Sequence, residues 1–253
     1  MKNLKTEFSL IYPNSLDEND GIQACFSLKN ELYNAQSPVP GLNLGFNTPE
    51  KKERIAQNRS ALLSSLNIDK AWIAYADQVH SNRIKVVSQG GTYPSTDGLI
   101  TRIPGLTLAI QVADCAAVLL WDSSAQIIAA LHAGWRGVAG DIVPKGIEMM
   151  IEQGATPENL HAFVSPCLSF ENFEVGEEVA EQFPDEQVDY ENFAKPHLNL
   201  KGFIKQQLSE NKIAGENIEV HPACTVGEVK NYYSYRREGN RSGRMMALIQ
   251  IRG

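Results

Sequence analysis

The sequence predicts a single mixed α/β domain over residues 1–253. Three observations carry that expectation. Short apolar runs bounded by turn residues recur along the chain, which is the pattern of strands. Longer segments with helix-start and helix-stop signals lie between them. No repeat, low-complexity tract or obvious linker divides the chain, and 43% hydrophobic with 21% charged residues supports one sizeable core.

Composition narrows the function classes. A net charge of −7 lacks the basic footprint of a nucleic-acid binder, while leaving room for a local basic pocket. No run reaches the about 18 apolar residues of a membrane helix, so no membrane partner is expected. The opening MKNLKTEFSLIYPNSLDEND has no continuous apolar region and no small-residue cleavage site, so a cytoplasmic protein is expected. Cys25, Cys115, Cys167 and Cys224 are widely spaced and form no CxxC pair. They read as buried or ligating thiols, not as a disulfide framework or zinc knuckle.

Residues 4–12 and 22–28 alternate between apolar and polar and read as strands, with a turn at Asn19-Asp20-Gly21. The turn-rich Ser37-Pro38-Val39-Pro40-Gly41 leads into Gly41-Leu42-Asn43-Leu44-Gly45, a loop with two glycines. Thr48 before Pro49 offers an N-cap and first-turn pair for a helix to about Leu66, which carries Arg59. A strand over 71–75 runs into Asp77-Gln78-Val79-His80-Ser81-Asn82, and another covers 83–87. Gly90-Gly91 opens a loop holding Thr96-Asp97-Gly98. Two apolar runs between residues 109 and 133 read as strands. Asp141 is the expected cap of a helix to about Gln153, with Pro144 in its first turn, where a missing N–H costs little, and Gly154 at its end. A strand over 161–165, helices over 177–183 and 200–211, and strands over 218–221 and 246–251 follow. Between the last two strands lies CTVGEVKNYYSYRREGNRSGR, a long loop rich in arginine and tyrosine.

The chemistry concentrates in residues 109–140. Cys115 follows the first apolar run and His132 the second, and Ala133-Gly134-Trp135-Arg136-Gly137 is a small-residue turn carrying a cation. Alone, a cysteine beside an apolar run is commonly a packing residue. Together, a thiol and an imidazole at strand ends define a candidate site, because ligands collect there in α/β folds. His80, just past an earlier strand, is the third candidate. Two imidazoles and a thiolate suit Zn²⁺ and leave a fourth position for water or substrate. Copper is a possible adventitious occupant, since it binds nitrogen and sulfur more tightly. Asp114 is the candidate to orient an imidazole or handle a proton. The same residues allow a metal-free cysteine hydrolase, with Cys115 as nucleophile and His132 or His80 as base. A third reading is a non-enzymatic metal-binding partner protein.

Arg136 stands before a helix, where backbone N–H groups favour anions. Arg236, Arg237, Arg241 and Arg244 fall within nine positions. A solvated loop is the plain reading, and the one expected for Arg241. For Arg59 a surface ion pair is the default. In an acidic protein, Arg59, Arg136, Arg236, Arg237 and Arg244 are nevertheless the candidates to bind substrate or phosphate. His221 and Cys224 read as structural. Trp135 lies where it could stack on a flat ligand.

QVHSNRI, ADCAAVLLWD, LHAGWRG, SPC…FEVG, CTVG and SYRREGNRSGR occur in this order, with GLNLGFNT and NRSAL ahead of them. Over residues 40–252 the chain closely resembles the YfiH-like family, formerly labelled multicopper polyphenol oxidase or laccase. The resemblance implies a single α/β domain similar to a toxin family of cysteine deamidases. It implies zinc on His80, Cys115 and His132. It also implies phosphorolysis of adenosine, inosine, guanosine and methylthioadenosine, and deamination of adenosine. Relatives that edit cell-wall precursors supply the substrate class for the cysteine-hydrolase alternative. The chain departs from the family at Ser165-Pro166, where Gly-Pro is frequent, and at Asn199-Leu200, where Asp-Leu is common. An amide at 199 cannot serve as a base. The laccase label fails a count, because only two of the five histidines lie in the candidate site, too few for separate copper centres.

Overall fold

The apolar runs become two six-stranded sheets in a computed structural model that describes residues 8–253. The expected strand positions 4–7 lie outside the described residues. In chain order the strands are β1 Leu10–Ile11, β2 Ile22–Ser27, β3 Ile73–Ala76, β4 Ile84–Val86, β5 Gly91–Tyr93, β6 Gly98–Thr101 and β7 Thr107–Val112. They continue as β8 Ala116–Asp122, β9 Ile127–Ala133, β10 His161–Val164, β11 Val188–Asp189, β12 His197–Leu198, β13 Ile218–Val220 and β14 Met245–Ile251. The helices are α1 Lys52–Ser65, α2 Trp135–Ala139, α3 Ile142–Glu152, α4 Glu177–Ala180, α5 Leu200–Glu210 and α6 Tyr235–Glu238. One sheet has the order β1-β2-β14-β7-β3-β5 and the other β13-β10-β8-β9-β6-β4, while β11 and β12 pair separately. Both large sheets mix parallel pairs, such as β3 with β7, and antiparallel pairs, such as β8 with β9.

Side-chain alternation stacks the layers. Strand β8 is buried throughout because both its faces are covered. Ala116, Val118 and Leu120 enter a core shared with α3 and α5, and Ala117, Leu119 and Trp121 enter a core between the two sheets. On β7, Leu108, Ile110 and Val112 face that inter-sheet core, whereas Ala109 joins a third core with Leu62, Leu63 and Leu66 at the α1 side. The result is a helix–sheet–sheet–helix stack. Each fully buried leucine or isoleucine contributes roughly 1.5–3 kcal/mol to holding it. Among the described residues, no helix is long and apolar enough to cross a membrane.

Several boundaries differ from expectation for identifiable reasons. Thr48 does not cap α1. Its hydroxyl donates to Gly45 O at 2.8 Å and accepts from Asn43 Nδ2 at 2.9 Å, so the helix starts later, at Lys52. Asp141 precedes α3 in a left-handed conformation (φ 61°) and makes no side-chain cap, its carboxylate instead accepting from Gln207 Nε2 at 3.3 Å. The Gly90-Gly91 loop contains β5, which pairs with β3. Residues 109–133 hold three strands, not two, because the turn at Asp114 separates β7 from β8.

Candidate metal and anion site

The three expected ligands meet. Cys115 occupies the bend between β7 and β8, and His132 is the last residue but one of β9. The β8–β9 register, Ala116 opposite Ala133, carries both to the same end of the sheet. His80 comes from the turn beyond β3, with φ 59°. One donor atom from each of His80, Cys115 and His132 lies within 4.8 Å of the others. The two imidazoles meet edge to face, centroids 4.8 Å apart. One sulfur and two imidazole nitrogens are a donor set for a soft divalent ion. Tetrahedral zinc spaces such atoms roughly 3.5 Å apart, so the 4.8 Å spread closes with about 1 Å of side-chain movement.

The carboxylate that organises these ligands is Asp97, which the sequence alone places in a loop. It is fully buried immediately before β6. Its Oδ1 meets His132 Nδ1 at 2.8 Å and accepts from His80 N at 2.9 Å. Its Oδ2 accepts from Ser81 N at 2.7 Å and Ser81 Oγ at 2.6 Å. One side chain thus orients the imidazole of one ligand and the backbone of another. Burial by itself raises the Asp97 carboxyl, but the bonds from His132 and Ser81 outweigh it and hold it at about 2. The acceptor is therefore ionised, which places the proton on His132 Nδ1 and leaves Nε2 for the thiol side.

Burial likewise raises the Cys115 thiol, yet the charge and hydrogen bonds of His132 and His80 pull it to about 6. Burial lowers His132, but Cys115 and Asp97 together lift it to about 9. Between those values the metal-free pair is thiolate and imidazolium and holds one proton. A metal ion needs the thiolate and a neutral imidazole, so uptake displaces that proton. Zinc binding at pH 7.5 should release about one proton from this pair, and affinity should rise about tenfold per pH unit between 6 and 9. Calorimetric titration in two buffers of different ionisation enthalpy measures this, and proton-neutral uptake contradicts it.

Gly134 makes room for the cluster. A Cβ there would sit 3.0 Å from Cys115 Sγ and 3.4 Å from His80 Cδ2. The backbone, φ −74° and ψ 162°, is ordinary for alanine, so only the contact penalises the change. Gly134→Ala should lower zinc affinity on the order of tenfold with little change in melting, as read by metal content after competition with a chelator.

Asp114 does not orient an imidazole. Its Oδ1 accepts from Thr225 Oγ1 and its Oδ2 from Arg236 N, both at 2.6 Å. It clamps the Cys115 bend to the loops carrying the late arginines. Arg237 is also corrected: its guanidinium donates to Thr225 O, Val226 O and Tyr232 O and pairs with Glu238 at 2.8 Å. It braces the loop and does not line the cavity at the cluster. That cavity, of about 830 Å³, is lined by His80, Cys115 and His132 together with Arg59, Arg136, Arg236 and Arg244.

The four arginines differ in what they have left to offer. Arg136 stacks on Trp135, with Cζ 4.1 Å from the ring centroid. Arg236 spends Nη2 on Glu174 O. Arg244 spends Nη1 on Ser242 O and Gly243 O, and among the described residues its Nε and Nη2 edge has no hydrogen-bond partner. Burial lowers the Arg244 pKa, while the nearby Cys115 and Asp114 groups oppose that. Gly45 admits the Arg244 stem, since a Cβ there would clash with Arg244 Cγ. Arg59 is gripped between Phe46 and Tyr75 and bonded to Gln111.

The remaining histidines lie elsewhere. His161 stacks on Trp121, His197 stacks on Phe193, and His221 Nδ1 accepts from Ala223 N. Cys224 Sγ accepts from Ser169 N at 3.3 Å, consistent with its structural reading. Asn199 caps α5, its side chain accepting from Gly202 N at 3.0 Å, so it works as a helix cap. Among the described residues, His80, Cys115 and His132 are the only such group able to hold a metal ion. Multicopper chemistry has no second centre among them.

Fold and cluster define a class: two packed mixed sheets that bring a His-Cys-His group and several arginines to the strand ends. The chain belongs to the family described as multi-copper polyphenol oxidoreductase laccase, the YfiH-like proteins, whose family model matches residues 23–252. The purine nucleoside phosphorylase of Deinococcus radiodurans is 37% identical over 217 residues, covering 85% of this chain and 83% of that protein. Adenosine deaminase RL5, from an unknown prokaryote, is 29% identical and covers 91% of this chain and 94% of that protein. The crystal structure of Bacillus licheniformis hypothetical protein YfiH matches with a TM-score of 0.89 at 27% identity, covering 99% of this chain and 98% of that one. These relatives make the chain a member of a family of purine nucleoside enzymes.

Proposed function

We propose that this protein is a zinc-dependent purine nucleoside enzyme, catalysing phosphorolysis and, on adenosine, hydrolytic deamination. The observation that carries the reading is the sharing of one cavity by the His80–Cys115–His132 group and by Arg136, Arg236 and Arg244. The names of the relatives support the substrate class. His80, Cys115 and His132 would hold the zinc, with copper as an adventitious occupant. When bound, the ion supplies Lewis acidity and a lowered pKa for water.

The chain's own groups do the rest. In phosphorolysis a phosphate oxygen forms the bond to C1′, and the C1′–N9 bond breaks with its electron pair staying on the purine. Arg244, through its open Nε and Nη2 edge, holds the phosphate by charge-assisted hydrogen bonds. Arg136 and Arg236 close around it from more exposed positions. In deamination, water adds at C6 and ammonia leaves. Asp97 keeps the His132 proton on Nδ1 throughout. Incubation with adenosine, with and without phosphate, tests the reading by product analysis. Inosine alone marks deamination, adenine with ribose 1-phosphate marks phosphorolysis, and neither product rejects it.

A second reading is favoured by one observation. Cys115, His132 and Asp97 stand in the order of nucleophile, base and orienting carboxylate, with the thiol pulled down to about 6. That arrangement would serve a cysteine hydrolase acting on cell-wall precursors. Turnover that survives metal removal but not thiol alkylation would support it.

A further inference from the structure

We infer that Gln111, oriented by Arg59 and flanked by Asp77, selects 6-oxopurines over 6-aminopurines, an inference that rests on the nucleoside reading above. Strand alternation turns Gln111 toward α1, where Arg59 Nη2 donates to its Oε1 at 2.9 Å. Arg59 cannot turn away. Its Nε donates to Leu44 O at 2.8 Å, and its Cζ lies 4.2 Å from the Phe46 centroid and 4.6 Å from that of Tyr75. The backbone of Gln111 is equally fixed. Gln78 Nε2 donates to Gln111 O at 2.7 Å, and Gln111 N donates to Gln78 Oε1 at 2.8 Å.

The two ends of a glutamine amide have the same shape, and only the bonding network tells them apart. Here a cation holds the oxygen. The Nε2 group, with two N–H donors, is therefore the free end. It has no partner among the described residues, and Gln111 lines the same cavity as the His-Cys-His group. Asp77 lines it too. In the parallel β3–β7 pairing Tyr75 stands opposite Ala109, and Asp77 follows the last residue of β3, next to Gln78, whose side chain holds the Gln111 backbone. The cavity wall thus offers a donor, Gln111 Nε2, and an acceptor, the Asp77 carboxylate.

A 6-oxopurine matches both. Its O6 accepts from Gln111 Nε2, and its N1–H, with the 2-amino group of guanine, donates to the Asp77 carboxylate. Held in that same pose, a 6-aminopurine presents an N–H to the Gln111 donor and a bare N1 lone pair to the carboxylate, two mismatches. The departing 6-oxopurine also gathers negative charge on O6, where a Gln111 N–H polarised by Arg59 is already aimed.

The test uses zinc-loaded wild type, Gln111→Glu and Asp77→Asn. Phosphorolysis of inosine and of adenosine is followed with hypoxanthine and adenine separated, and dissociation constants for the two free bases are measured without phosphate. Wild type should favour inosine and hypoxanthine. In Gln111→Glu one carboxylate oxygen pairs with Arg59 and the other turns an acceptor to the base. The inosine-to-adenosine ratio of kcat/KM should then fall about tenfold or more, and the base affinities should shift in parallel. Asp77→Asn, at an exposed position, should lower the same ratio. A variant without turnover is judged on base binding. A wild type that prefers adenosine and adenine, or ratios unmoved in both variants, overturns the inference. A wild type that neither cleaves nor binds any purine nucleoside removes the functional reading itself, a distinguishable result.

Discussion

Replacing Asp97 with asparagine should cost the protein both metal and stability. The carboxylate faces only donors: Val79 N at 3.3 Å, His80 N at 2.9 Å, Ser81 N at 2.7 Å, Ser81 Oγ at 2.6 Å and His132 Nδ1 at 2.8 Å. Asparagine keeps one acceptor oxygen and turns an NH₂ toward donors on the other side. It also removes one of the two anions, Asp97 and the Cys115 thiolate, that face the buried His132 imidazolium, and breaking that buried pair costs roughly 3–5 kcal/mol. At 2–4 °C per kcal/mol for a chain of this size, melting should fall by about 10 °C. Zinc affinity should drop about 10-fold to 100-fold, as expected when the partner of a ligand histidine is removed. The pH dependence has a definite sign. The folded Asp97 carboxyl lies at about 2, below the ordinary 3.8, so its stabilisation is present above 3.8 and is lost as pH falls through 2. The gap in melting temperature between wild type and Asp97→Asn should therefore be widest near neutrality and narrow below pH 3.8. Calorimetric melts and metal content measure it, and equal melting temperatures at neutral pH would contradict the role.

The ligand trio was legible in the sequence and its organiser was not. His80, Cys115 and His132 each stand at the end of an apolar run, and strand ends are where an α/β fold exposes side chains. Asp97 lies between a threonine and a glycine, a triplet that reads as a turn. Its role comes from pairing far along the chain: Gly98 opposite Leu131 in the β6–β9 register brings Asp97 beside His132. No local pattern encodes that. The arginines show the same limit at shorter range. Arg236 and Arg237 are neighbours on a four-residue helix, and consecutive helical side chains point in different directions. One reaches the cavity and the other is consumed by loop carbonyls. Asp114 stands beside Cys115, which points to a role at the site, but its partners, Thr225 and the Arg236 backbone, arrive from over 100 residues away and no local pattern names them. Gln111 sits in a strand whose alternation was visible, but only the arrival of α1 shows which end of its amide is free.

Removing the thiol of Cys115 should abolish metal binding and turnover together. Cys115→Ala leaves two imidazoles, one of them already committed to Asp97 through Nδ1, and no anionic ligand. Structural and catalytic zinc sites hold three or more protein ligands, so the alanine protein should retain little zinc after dialysis. Its turnover should fall on the order of a thousandfold or more, about 4 kcal/mol in barrier, since ion and thiolate both go. That loss alone does not separate the two chemistries, because the nucleophile of the hydrolase reading disappears with the ligand. Cys115→Asp separates them. A carboxylate can ligate zinc but cannot form a thioester, so the two roles of the sulfur come apart in one protein. On the zinc reading the aspartate variant should carry metal with weaker affinity and turn over nucleoside at a reduced but measurable rate. Zinc-loaded Cys115→Asp with no turnover, beside a wild type that stays active after chelation and dies on alkylation, would move the reaction from the ion to the sulfur. The same His132 and Asp97 would then act as base and orienter for the thiol, because the geometry that suits a ligand imidazole also suits a general base.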